Sequence, residues 1–92
     1  MTIQYFATIR GITGCGHEQW GKPEAMIGDL LQDLCQKYGA SFRRWLFIGE
    51  TFSQMCIVLI NGRDIRHLQG LNTSLNRDDT VAIFPPVAGG SC

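Results

Sequence analysis

The sequence predicts an α+β fold: a mixed sheet with one main helix packed across one face, followed by an extended C-terminal tail. Three observations carry that prediction. An alternating first segment is followed by three closely spaced glycines and a short return segment. One stretch, Ile27–Tyr38, repeats its apolar residues with helical period. A continuous β-favouring run over residues 56–60 then leads into Asn61-Gly62. A hairpin followed by a helix can bury that helix only against its own sheet.

Residues 2–9 alternate, with Ile3, Tyr5, Ala7 and Ile9 on one face and Thr2, Gln4, Phe6 and Thr8 on the other. This pattern predicts a half-buried strand carrying Phe6 as the one large apolar residue on its polar side. Gly11, Gly14 and Gly16 read as turn material, and residues 17–20 as the returning strand. Pro23 suits the first turn of a helix. Ile27, Leu30, Leu31, Leu34 and Tyr38 fall on one helical face, and Gly39 follows Lys37 at the C-terminal cap position. Residues 41–48 predict a further turn or two of helix under the sheet, with Trp45 as core rather than ligand platform. Residues 49–54 read as loop. The run at 56–60 predicts a central strand covered on both faces. Asn61-Gly62 predicts a type I′ turn, whose two central residues need positive φ. A short return strand over 63–66, a connection over 68–76 with at most one helical turn, and a last strand over Thr80–Phe84 complete the order.

Ninety-two residues at 45% hydrophobic and 17% charged content describe one packed domain. Eight basic side chains balance eight acidic ones, which argues against nucleic acid or an anionic membrane surface as partner. Arg43-Arg44 reads as a solvated face. No apolar run approaches the ~20 residues of a membrane helix, and the N-terminus has no signal-peptide pattern, so a cytoplasmic protein is expected. Cys15, Cys35, Cys56 and Cys92 include no CxxC pair and do not imply disulfides. Cys35 and Cys56 read as small core hydrophobes. Cys15-Gly16-His17 offers two metal ligands where a closed zinc site needs four, so no metal is expected.

Strand, strand, helix, strand, short strand, strand is the order of the β-grasp fold of ubiquitin. Residues 1–84 form that domain and residues 85–92 a tail: Pro85, Pro86, Val87, Ala88, Gly89, Gly90, Ser91, Cys92. The prolines end the sheet and stiffen a spacer, and the glycines pass through a channel too narrow for larger residues. Extended, the stretch from Phe84 to Gly90 reaches about 20 Å from the domain. A terminal Gly-Gly-Ser also fits a linker, but the β-grasp order and the abrupt Pro-Pro step favour an arm that delivers its end into another protein.

The chain resembles the ubiquitin-fold sulfur carriers of the MoaD and ThiS type, most nearly the molybdopterin synthase small subunit. The resemblance runs through residues 4–14 (QYFATIRGITG), 28–31 (GDLL), 59–62 (LING) and 78–90 (DDTVAIFPPVAGG). It implies that an adenylyltransferase of the ubiquitin-activating type uses ATP to adenylate Gly90, and that sulfur then replaces AMP to leave a thiocarboxylate. The carrier itself would be a cosubstrate or small subunit of a sulfurtransferase complex rather than an enzyme, with no bound cofactor. Its acceptor would be a synthase large subunit or an equivalent, as in molybdenum or tungsten cofactor synthesis. The resemblance also implies that Pro85, Pro86, Val87, Ala88 and Gly89 enter the partner, and that Phe6 and Phe84 dock it.

One departure matters for mechanism. The family's active members end at the second glycine, whereas Ser91 and Cys92 follow here and lock the Gly90 carbonyl in a peptide bond. Removal of Ser91-Cys92 by a peptidase, plausibly a zinc metalloprotease, is therefore expected; a functional terminal thiol at Cys92 is the variant reading. Other pathways remain open for such a carrier: cysteine, methionine, thiazole or siderophore synthesis. So do a ubiquitin-like modifier joined through Gly90 and a plain β-grasp interaction module.

Overall fold

The computed structural model of the chain describes residues 1–21 and 25–85. The predicted helix start at Pro23 and the tail positions Pro86, Val87, Ala88, Gly89, Gly90, Ser91 and Cys92 lie outside the described residues. Strands β1 (Thr2–Tyr5), β2 (His17–Gln19), β5 (Ile57–Ile60), β6 (Arg63–Asp64) and β7 (Thr80–Phe84) form one mixed sheet in the order β2-β1-β7-β5-β6. β1 and β7 run parallel with Thr2 opposite Thr80 and Tyr5 opposite Ile83; the other pairings are antiparallel. The β-grasp arrangement expected from the sequence is present, with the last strand as its centre.

Helix α2 (Ile27–Tyr38) buries Ile27, Leu30, Leu31, Leu34 and Cys35, the face its period predicts. Asp29 in its first turn and Lys37 in its last match the helix dipole. Gly39 closes it, its N–H donating to the Cys35 carbonyl. The start of α2 lies against the 3-10 turn Gly70–Asn72, where a Cβ on Gly28 would come within 2.9 Å of the Leu71 carbonyl oxygen. Only glycine permits that approach. The inner sheet residues Ile3, Tyr5, Val58, Ile60, Val81 and Ile83 meet this helix in one core with Phe42 and Leu46 of α3 (Ala40–Leu46). Trp45 packs partly buried against that core, as expected.

Four expectations are corrected. The first strand stops at Tyr5, and residues predicted to continue it form helix α1 (Ala7–Thr13), which includes Gly11. Ala7 turns the chain out of the strand at φ 54° and opens the helix. Ile9 is buried in either geometry, so alternation alone did not separate them. Residues 49–54 are not all loop: β3 (Phe47–Ile48) and β4 (Thr51–Phe52) pair, with Phe47 and Phe52 edge to face at 5.8 Å. The run at 56–60 is not covered on both faces. β5 lies beside the edge strand, Val58 and Ile60 face the core, and Ile57 is 38% exposed, because α2 covers only one side. The turn after it is as predicted, with Asn61 at φ 53° and Gly62 at φ 85°. The return strand is shorter than 63–66, giving way to a 3-10 turn at Ile65–His67.

At the β2 edge the core ends in a polar knot. Glu18 Oε1 accepts from both the Tyr5 and Tyr38 hydroxyls, and its Oε2 lies 2.7 Å from Lys37 Nζ. Burial pushes the Glu18 carboxyl up, but the hydrogen bonds from Lys37, Tyr38 and Tyr5 outweigh it and leave the pKa below the ordinary value. Burial first, and then the Glu18 contact, raise both tyrosines.

Candidate functional site

The last strand places the tail. β7 lies between β1 and β5, so the chain leaves the sheet from its middle, and Pro85, the last described residue, is itself buried. At that point Phe84 and Phe6 stack, ring centroids 4.2 Å apart and planes within 8°. Phe6 is held there by the left-handed turn at Ala7 and by the first turn of α1, where Ile9 N–H donates to the Phe6 carbonyl at 3.2 Å. Both rings are half-buried. Phe6, the first residue past β1, thus stacks on the last residue of β7.

This pair belongs to the sheet face opposite α2. Cross-strand register puts Gln4, Ala82 and Leu59 in one row, with Ile57 opposite Phe84 in the next. Ile57 and Leu59 were missed as members of this face. The signal was present in their parity against Val58 and Ile60, but an all-apolar run hides parity. Leu68, 36% exposed, lines a shallow depression with Leu59, Gly62, Arg63, Asp64 and His67. An apolar surface rimmed by polar groups is the ordinary form of a protein contact site.

The thiols of Cys35 and Cys56 are buried; burial raises Cys35, partly opposed by Arg43, and pushes Cys56 up to about 12. Both are thus protonated core groups, as the sequence suggested, and poor nucleophiles. Asp64 is committed to Arg66 at 2.8 Å, an ion pair that holds its carboxyl below the ordinary range. Among the described residues no three His, Cys, Asp or Glu side chains are grouped to hold a metal ion, and no helix is long and apolar enough to cross a membrane.

The molecule is thus a β-grasp domain with a half-buried aromatic pair beside the end of its last strand. Residues 3–90 match the ThiS family, and the chain belongs to that family. It is 37% identical over 91 residues to small archaeal modifier protein 3 of Haloferax volcanii, covering 98% of each chain. It is 33% identical over 64 residues to a putative sulfur carrier protein of Archaeoglobus fulgidus, covering 70% of this chain and 73% of that one. The solution structure of small archaeal modifier protein 1 from Methanosarcina acetivorans superposes with a TM-score of 0.81 at 32% identity, over 97% of this chain and 94% of that one. The resemblance read from the sequence is thus to the right family. The chain is a small ubiquitin-like carrier or modifier rather than an enzyme.

Proposed function

We propose that this chain is a sulfur carrier whose reactive atom is the Gly90 carboxyl carbon, freed by removal of Ser91-Cys92. The observation that carries this reading is the span of the family match, which ends on Gly90. A free carboxylate resists attack by sulfur. An adenylyltransferase of the ubiquitin-activating type therefore joins it to AMP from ATP, releasing pyrophosphate. A persulfide sulfur then attacks the acyl carbon and AMP leaves. A thiol cleaves the intervening S–S bond to give the thiocarboxylate. Splitting one hard displacement into two easier ones is the general use of such covalent activation. The carrier contributes position: Phe6 and Phe84 seat the partner, and Pro85 through Gly89 present the carboxyl group inside it. The sulfur acceptor is a synthase subunit, in molybdenum or tungsten cofactor synthesis or in a cysteine, methionine, thiazole or siderophore pathway.

A second reading is favoured by the names of the relatives: a modifier, joined through Gly90 to lysines of other proteins. Intact-mass measurement of protein from its own host tests both. The carrier reading expects loss of Ser91 and Cys92, plausibly by a zinc metalloprotease, and one terminal oxygen exchanged for sulfur. A mature chain retaining both residues would sink it. Isopeptide conjugates without thiocarboxylate would favour the modifier.

A further inference from the structure

An activated Gly90 carboxyl group is an acylating agent, and lysine amines, those of this chain included, are acceptors for it. The chain carries six arginines and only two lysines, Lys22 and Lys37. Guanidinium groups stay protonated and do not compete as acyl acceptors. Lys37 is the one lysine among the described residues. Its Nζ sits 2.7 Å from Glu18 Oε2, 5.4 Å from the Trp20 ring centroid and 5.1 Å from the Tyr38 ring centroid.

The carboxylate that holds this ammonium is itself fixed. Two tyrosine hydroxyls, one of them on fully buried Tyr5, bind its other oxygen. Glu18 therefore cannot swing away with the lysine, as a lone surface acid would. Both rings offer their negative π-systems to the positive charge. To accept an acyl group, Lys37 must shed a proton and turn a lone pair outward, and each of these contacts favours the protonated form. Its side chain is 47% exposed, so bonding rather than burial is what restrains it.

We propose that the Glu18, Tyr5, Tyr38 and Trp20 cluster withholds Lys37 as an acceptor amine, so that the chain acts as an acyl donor and not as an acceptor at this position. In the withheld step the amine nitrogen would bond to the Gly90 carbonyl carbon, AMP would leave with the C–O electron pair, and the ammonium proton would pass to solvent. The biological weight of the proposal rests on activation at Gly90, but the chemistry of Lys37 does not.

Sulfosuccinimidyl acetate, followed by peptide mapping, reads that chemistry on the intact protein without any partner. Lys37 of the native chain should acetylate at least about threefold more slowly than Lys37 of the same chain in concentrated guanidinium, the scale an exposed ion pair supports. Glu18→Gln should restore most of the unfolded rate. If that variant fails to fold, Tyr38→Phe should raise the rate by a smaller factor. Native Lys37 reacting as fast as in the unfolded chain would overturn the proposal, as would an unchanged slow rate in a folded Glu18→Gln protein. A Gly90–Lys37 isopeptide among the products of the activated chain would also overturn it. Absence of thiocarboxylate from host protein bears on the carrier reading alone.

Discussion

On the helix side of the sheet every strand residue meets a partner. Ile3, Tyr5, Val58, Val81 and Ile83 are fully buried, and the Glu18 carboxylate at the edge of that face is met by two hydroxyls and an ammonium. On the opposite side Ile57 and Leu68 stay more than a third exposed, and the two phenylalanines are half-covered by each other. The same strands thus serve stability on one face and leave contact surface on the other. Under the proposed function, a partner completes the second face.

Substitutions on the two faces should separate these roles, and the largest effect on stability belongs to the core. Leu34→Ala should cost about 2–5 kcal/mol in chemical denaturation, while partner activation at a temperature where the variant is folded stays unchanged. Loss of activation without loss of stability would break the division.

Glu18→Ala comes next. It strands the buried Tyr5 hydroxyl and should cost about 1–3 kcal/mol. It should also change the pH dependence. The Glu18 pKa is depressed in the folded chain, so its contribution is present above the ordinary 4.5 and is lost as pH falls through the folded value. The Tyr5 pKa is raised, so its contribution is present below the ordinary 10.0 and fades as pH rises above it. Denaturation midpoints of the parent chain should therefore fall on both flanks of that window; Glu18→Ala should remove the Glu18 part of the acid flank and leave much of the alkaline one, which burial of Tyr5 sustains.

The smallest stability effect should come from Phe6→Ser, about 0.5–1.5 kcal/mol for the lost ring stack, together with a clear drop in activation by the adenylating partner. A destabilisation as large as that of Leu34→Ala would make Phe6 a core residue. Unchanged activation would remove its docking role.

Several elements were legible in the residues alone, because their signals are local. The 3.6-residue period fixes α2, Asn61-Gly62 fixes its turn through the φ values both positions adopt, and Asp78-Asp79 followed by alternation marks β7. Where β1 ends was not legible, since the chain leaves the strand through a left-handed turn at Ala7, a residue type that gives no signal for one. Nor was the bare face of β5, because an apolar run looks the same whether one side or two are covered. The Phe6–Phe84 stack and the knot around Glu18 join residues from opposite ends or distant elements, and no local pattern records them. Sequence determined the parts, because their signals are local. Tertiary structure decided which apolar groups the single main helix would cover and which it would leave exposed.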